Sequence, residues 1–168
     1  MGRVVLKLDD DVSTDVIYPG RYMATVLPTE TPQFAFSDNA DFSARSKAKQ
    51  IPSGSIIVAG KNFGCGSSRE QATSTLKGHG LVIVAESFAR IFLQNSINLG
   101  LEIVEAPGIQ AAEGDELEIA AAEVRNLTTG RRFPRVALPK ARQAIIEAGG
   151  LIPYARKRIM QRVALSKR

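Results

Sequence analysis

The chain has 168 residues, 44 % of them hydrophobic and 23 % charged, and a formal net charge of +5. That length suits one domain with one buried core, and that composition argues against intrinsic disorder. A single cysteine and a single histidine exclude an internal disulfide, and they exclude an ordinary zinc site or a cuboidal iron–sulfur cluster held by this chain alone.

Met1 to Asp11 contains no apolar stretch of the kind that opens a secretory signal, and no apolar run reaches transmembrane length, so the expectation is a cytoplasmic protein. Val4 to Leu8 reads as a first strand, and Asp9 to Pro19 as a loop. Residues 21 to 50 carry Pro28, Pro32, Ser37, Asn39 and Ser43 without a clean period. They read as a long functional loop with one short helix over 41–48.

Ser55 to Ala59 is a short apolar run bounded by glycines, hence a buried strand. Arg69 to Lys77 reads as a helix, with Ser67 or Ser68 as its N-cap. Leu81 to Ala85 is a second buried strand, Ser87 to Asn98 a helix with Gly100 as its C-cap, and Leu101 to Val104 a third strand. Alternating strands and helices point to an α/β fold with a parallel or mixed sheet flanked by helices. Glu116 to Ile119 and Glu123 to Leu127 alternate and read as a β-hairpin or a small β-layer, after which Thr128-Thr129-Gly130 turns. Asn126-Leu127-Thr128 matches a glycosylation sequon, read here as accidental. Pro139 to Ala148 is a helix stopped by Gly149-Gly150, and a basic helix starts near Pro153.

Much of the positive excess lies in Arg156-Lys157-Arg158, Arg162, Lys167 and Arg168. A solvated helix or tail explains it. An acidic partner or a nucleic acid is the sharper alternative, although Tyr154 is the only aromatic residue there, which disfavours stacking on single strands.

The densest chemistry lies in Gly60 to Gln71, GKNFGCGSSREQ. Gly64, Gly66, Ser67, Ser68 and Arg69 follow a strand and open a helix. The unpaired amides and positive dipole of a helix start, glycines that admit close approach, and a planar guanidinium together suit a carboxylate or phosphate. A glycine turn with a serine cap would explain one serine but not Arg69, whose charge opposes the dipole. No Lys-Ser/Thr pair follows the glycines, and the third glycine of a dinucleotide fingerprint is missing.

Gly64-x-Gly66-Ser67-Ser68-Arg69-Glu70 resembles the signature of the swivelling small domain of the aconitase superfamily. Ser13-Thr14-Asp15-Val16-Ile17-x-Pro19 resembles that domain's opening motif. Ser87-Phe88-Ala89-Arg90-Ile91-Phe92 with Asn95, Asn98 and Gly100 resembles its helix after the second buried strand. Gly150-Leu151-Ile152-Pro153-Tyr154 resembles the ending of the stand-alone small subunits. The similarity runs over nearly the whole chain, so residues 1–168 are expected to form a single aconitase-like swivelling β/β/α domain.

The resemblance implies a hydro-lyase of the isopropylmalate type, in which a large partner subunit carries a [4Fe–4S] cluster and this chain closes over it as a heterodimer or heterotetramer. It implies Ser67 as the catalytic base, acting as an alkoxide, with Asp15 as an orienter or proton partner. Arg69 would clamp a substrate carboxylate and Ser68 would hydrogen-bond the substrate. Residues 21–50 would set specificity, with Arg21, Tyr22 and Ala24 at the pocket. Homoaconitase-type proteins carry an arginine where this chain has Ala24. Burying an unpaired carboxylate beside Ala24 would be costly, so a branched alkyl group is expected instead, with dimethylmalate and citramalate as alternatives to isopropylmalate. Cys65 is expected to be a spacer, His79 a loop residue, and Arg90 a structural partner of a nearby carboxylate.

Overall fold

A computed structural model describes residues 1–166. Seven strands make one sheet in the order β4-β3-β2-β1-β5-β6-β7. They are β1 (Gly2–Lys7), β2 (Ile56–Ala59), β3 (Val82–Ala85), β4 (Ile103–Glu105), β5 (Glu116–Ile119), β6 (Glu123–Asn126) and β7 (Arg132–Pro134). Strands β1 to β4 are parallel, and β5 to β7 run antiparallel from the other side of β1. The mixed sheet expected from sequence is therefore present, with β1 as the junction of its two halves.

Every residue of β2 and β3 is buried, which is why both read as uninterrupted apolar runs. Their side chains alternate between two cores. Ile57, Ala59, Ile83 and Ala85 face Ala72, Leu76, Phe92 and Ile97 of the helices. Ile56, Val58, Val82 and Val84 face Ala106, Ile109, Leu117 and Val124. Helices cover one face of the parallel strands, while the antiparallel half and the segment after β4 cover the other. A register shift between Val4 and Leu6 lets Val5 and Leu6 both join the helix-side core while Val4 serves the opposite one.

The helices are α1 (Thr14–Ile17), α2 (Ala40–Lys47), α3 (Glu70–Gly78), α4 (Arg90–Leu99), α5 (Lys140–Glu147) and α6 (Leu151–Ser166). Two short 3₁₀ turns, Gly20–Tyr22 and Thr31–Phe34, interrupt the long segment before α2. The sequence missed α1, which Ser13 caps by accepting from the Val16 amide at 3.3 Å, and it missed β7. The serine caps expected for α3 are corrected: Arg69 occupies the N-cap and makes no side-chain capping bond. Gly100 is the left-handed C-cap of α4, with φ 74°. Asn126 of the sequon is buried, donating to Asp115 at 2.7 Å and accepting from the Thr128 and Thr129 amides at 3.1 Å. It shapes the turn from inside the fold. The basic helix begins at Leu151, two residues earlier than expected. Ile152, Ile159 and Met160 are exposed on it, and Lys167 and Arg168 lie outside the described residues.

The segment 21–50 is not a free loop, because α3 straps it down. Thr31 is fully buried, its carbonyl accepting from Thr75 Oγ1 at 2.7 Å and its hydroxyl meeting Ser74 Oγ at 3.1 Å. His79 Nε2 lies 2.6 Å from the Pro32 carbonyl, which can only accept, so this nitrogen carries a proton and donates. The imidazole also meets Ser46 Oγ at 3.3 Å and the edge of Phe42. A methyl built at Gly78 would lie 2.3 Å from the Pro32 ring, so the strap touches the helix backbone itself. His79, expected to be an ordinary loop residue, is the latch between α2, α3 and this segment.

Burial lowers the His79 pKa below its ordinary value, and the bond to Pro32 only partly offsets this. The unfolded chain then binds a proton more readily than the folded one. This contribution to stability is complete above the unfolded value near 6.5 and is lost as pH falls toward the folded value. Urea unfolding at pH 7, 6 and 5 should show stability dropping in acid, by at most ~1.4 kcal/mol per pH unit from this group. His79→Gln should flatten that dependence, and an unchanged slope would remove the latch from the account.

Candidate active site

The site sits where two chain segments meet beyond the C-terminal ends of β1 and β2. Thr14 N donates to the Cys65 carbonyl at 2.8 Å, and Gly64 N donates to the Val12 carbonyl at 2.7 Å. Ser13 and Cys65 thereby form a short parallel bridge. This bridge sets the start of α1 beside the loop that leads into α3.

Gly64 and Gly66 have different tasks. Gly64 is buried with φ 82°, and a methyl there would lie 2.2 Å from the Phe92 ring. Phe92 in turn packs edge-on against Phe63, with ring centres 5.2 Å apart. Gly64 is therefore small to admit α4, not to admit an anion, which corrects the sequence reading. Gly66 is exposed with φ 90° and open space above it, the nearest atom being Thr14 Oγ1 at 3.6 Å. Here the need is conformational, and the backbone remains open to a ligand.

Ser67 and Ser68 are both exposed. Arg69 is mostly buried, its side chain 17 % accessible, and its guanidinium reaches back to α1 to pair with Asp15, which is 57 % accessible. Asp15 Oδ1 accepts from Arg69 Nη1. Arg69 Nε is buried without a partner. Gly20 borders the pair: a methyl there would stand 3.5 Å from Asp15 Oδ1 and 3.7 Å from Arg69 Nη2. The structure thus gathers Asp15, Ser67, Ser68 and Arg69 in one place, from segments more than fifty residues apart. An ion pair with one exposed partner is worth no more than about 1 kcal/mol, so an incoming carboxylate can compete with Asp15 for the guanidinium.

The segment 21–50, expected to set specificity, has another arrangement than the sequence suggests. Arg21 forks onto both carboxylate oxygens of Asp38, donates to Ser37 Oγ at 3.4 Å and lies over the Tyr22 ring at 4.7 Å. Asp38 raises the Arg21 pKa, and Arg21 holds the Asp38 carboxyl below the usual carboxylate range. Tyr22 stacks on Phe34 with ring centres 4.2 Å apart, and its carbonyl accepts from Tyr18 Oη at 3.0 Å. Both side chains expected to touch substrate are thus engaged in holding this segment's shape. Ala24 is exposed, with Met23, Val26 and Leu27 exposed beside it. Val26 and Pro28 line a groove of about 260 Å³ with Glu70, Gln71, Ser74 and Leu99. Neither Val26 nor Pro28 was among the residues expected at the pocket, since an irregular segment offers no period that singles them out.

Cys65 is half-buried, with Sγ donating to the Asp11 carbonyl at 3.2 Å. Arg90, expected to pair with a carboxylate, is exposed at the start of α4 and forms no ion pair among the described residues. Among those residues, no three His, Cys, Asp or Glu side chains converge as metal ligands would, so the groups here do not fit an iron–sulfur cluster. No described helix is long and apolar enough to cross a membrane.

An exposed serine pair thus lies beside an arginine–aspartate couple at one end of this mixed sheet. Residues 12–107 match the family model of the aconitase C-terminal domain, and the chain belongs to that family. It is 46 % identical over 163 residues to the isopropylmalate/citramalate isomerase small subunit of Methanocaldococcus jannaschii, covering 94 % of both chains. It is 42 % identical to the 3-isopropylmalate dehydratase small subunit of Methanosarcina acetivorans, covering 93 % of this chain and 96 % of that one. Among solved structures, a 3-isopropylmalate dehydratase from Methanocaldococcus jannaschii superposes with a TM-score of 0.86 at 36 % identity, over 97 % of this chain and 96 % of that one.

The contrast between the two glycines is testable by thermal unfolding. Gly64→Ala combines a left-handed φ with a clash in a packed core and should cost about 2–5 kcal/mol. Gly66→Ala meets only the φ penalty, about 1–2 kcal/mol. Equal losses would mean that Phe92 does not dictate Gly64.

Proposed function

We propose that this chain is the small subunit of a 3-isopropylmalate dehydratase. In this reading it works in the cytoplasm with a large subunit that carries a [4Fe–4S] cluster, and it interconverts 2- and 3-isopropylmalate in leucine biosynthesis by dehydration and rehydration. The observation that carries the proposal is the convergence of exposed Ser67 and Ser68 with the Arg69–Asp15 pair, in a chain similar over 94 % of its length to a small subunit of this kind. The cluster, held by the partner, supplies the Lewis acid for the departing hydroxyl.

The remaining chemistry falls to this chain. Ser67 Oγ, as an alkoxide, takes the proton from the carbon next to a substrate carboxylate and becomes a neutral hydroxyl. In rehydration the released hydroxide adds to the carbon that lost the proton, and the Ser67 hydroxyl, after exchange with solvent, protonates the carbon that lost the hydroxyl and is again an alkoxide. Arg69 turns from Asp15 to the substrate carboxylate, which also gives its unpaired guanidinium edge a partner. A buried donor without a partner costs about 1–3 kcal/mol, so this re-pairing favours binding. Ser68 hydrogen-bonds the substrate, and Asp15, released from Arg69, is free to act as a proton partner. Proton removal next to a carboxylate builds negative charge, and Arg69 lies beside Ser67 to offset it.

The alkyl substituent is placed against Ala24 and the exposed Met23, Val26 and Leu27. None of these four side chains can pair with a second distal carboxylate, which disfavours homoaconitate. Citramalate remains the second reading, because its smaller methyl fits the same apolar side and the Methanocaldococcus relative is named for both substrates.

Steady-state kinetics with the cluster-loaded large subunit test the reading. The chain alone should be inactive. The complex should turn over isopropylmalate with a higher kcat/KM than citramalate or dimethylmalate, and homoaconitate should be the poorest substrate. Each methylene that the apolar side accepts is worth about 1–3 kcal/mol, or 10- to 200-fold. A preference for homoaconitate would contradict the assignment.

A further inference from the structure

Thr14 is buried, with 1 % of its surface exposed, and no role in the proposed chemistry requires it. Its hydroxyl nevertheless holds both polar groups of one residue. Thr14 Oγ1 accepts from the Ser67 amide at 3.2 Å and donates to the Ser67 carbonyl at 3.3 Å. A hydroxyl has one proton to give and lone pairs to accept with, so a single rotor satisfies both bonds at once. The Thr14 amide also donates to the Cys65 carbonyl at 2.8 Å. Gly66, free to take φ 90°, lets the chain turn over the hydroxyl, which lies 3.6 Å from where a methyl would stand.

Ser67 sits on an exposed loop ahead of α3 and belongs to no helix or strand. A residue so placed has nothing of its own to fix φ and ψ. The next peptide is held in a similar way, with Asn95 Nδ2 of α4 donating to the Ser68 carbonyl at 3.3 Å. These bonds engage only the backbone of Ser67 and Ser68, whose exposed side chains stay available.

We propose that Thr14 is a positioning residue for the reaction: its buried hydroxyl grips the amide and carbonyl of Ser67 and so fixes where the Ser67 Oγ points. This rests on the reading of Ser67 as the base. The clamp also takes the Ser67 amide out of the set of donors available to an anion, so the charge on the alkoxide must be met by Arg69 and by groups outside this clamp. The link between Asp15 and Ser67 is then mechanical as well as electrostatic, because Thr14 is Asp15's immediate neighbour. Any shift of α1 moves Asp15 and the Ser67 backbone together.

Thr14→Val keeps the shape and removes both bonds, whereas Thr14→Ser keeps both bonds and loses only a methyl. In the reconstituted complex, Thr14→Val should lower kcat by about 10- to 100-fold, the scale of a misplaced reacting group, with KM within about threefold. Thr14→Ser should restore kcat to within about threefold of the parent. A purely structural role would instead lower the amount of assembled complex and leave kcat per complex intact, which would overturn the proposal. Ser67→Ala run in parallel separates the two readings. If it is inactive while Thr14→Val turns over normally, the clamp is wrong and the base stands. If Ser67→Ala turns over normally, the base assignment fails first. Amide hydrogen exchange on the unmodified chain gives an answer without any variant: the Ser67 amide should exchange at least about 100-fold more slowly than an open loop amide. Free exchange there would also overturn the proposal.

Discussion

The candidate site depends on a short hydrogen-bonded bridge between residues 12–14 and residues 64–67. Neither segment has a long helix or a strand to anchor it. Together they have two backbone bonds and the two bonds of the Thr14 hydroxyl, which lock the start of α1 to the loop before α3. Without that bridge Asp15 would have no fixed relation to Arg69, and Ser67 would ride on a mobile loop. The sheet exists, for this purpose, to bring the ends of β1 and β2 side by side so that the two segments leaving them can meet.

The rest of the fold keeps the bridge in place. The two-sided burial of β2 and β3 makes their ends rigid. Phe92 presses α4 against Gly64 and so brings Asn95 under Ser68. Lys77, at the other end of α3, donates to the Leu99 and Gly149 carbonyls and ties three helix ends together. The antiparallel strands touch none of this directly. They seal the second face of the sheet and lie beyond the matched family segment, as do α5 and α6.

The sequence made the regular framework legible, and for clear reasons. Continuous apolar runs mark β2 and β3, and glycines bound them. The apolar stripe of α4 and its left-handed Gly100 carry their own local signals. What failed to show was short or tertiary. The four residues of α1 are too few for any period, although the Ser13 cap that starts them is a local bond to the Val16 amide. Strand β7 holds Pro134, which argues against a strand until an edge position is known. Gly64 reads as an anion-admitting glycine because Phe92 is far along the chain. Ser67 looks like a helix cap, and instead Thr14, fifty-three residues earlier, makes use of its backbone. Of the expected site residues, Asp15, Ser67, Ser68 and Arg69 converge, while Arg21 and Tyr22 turn to Asp38 and Phe34. The strap formed by Thr31 and His79 was invisible because polar residues in an irregular segment carry no sign of burial.

In the proposed function this chain holds half of a reaction centre, with Ser67 accepting a proton, Arg69 clamping a carboxylate and a Lewis acid supplied by another chain. Solvent deuterium exchange probes this most directly. The chain is mixed with its cluster-loaded large subunit and 3-isopropylmalate in D₂O, and label at the carbon next to the carboxylate is followed by NMR. The account predicts that the unmodified complex incorporates deuterium during interconversion, and that Ser67→Ala slows incorporation by about 10²- to 10⁴-fold, the scale of a lost general base. Incorporation by the Ser67→Ala complex at the unmodified rate would contradict it.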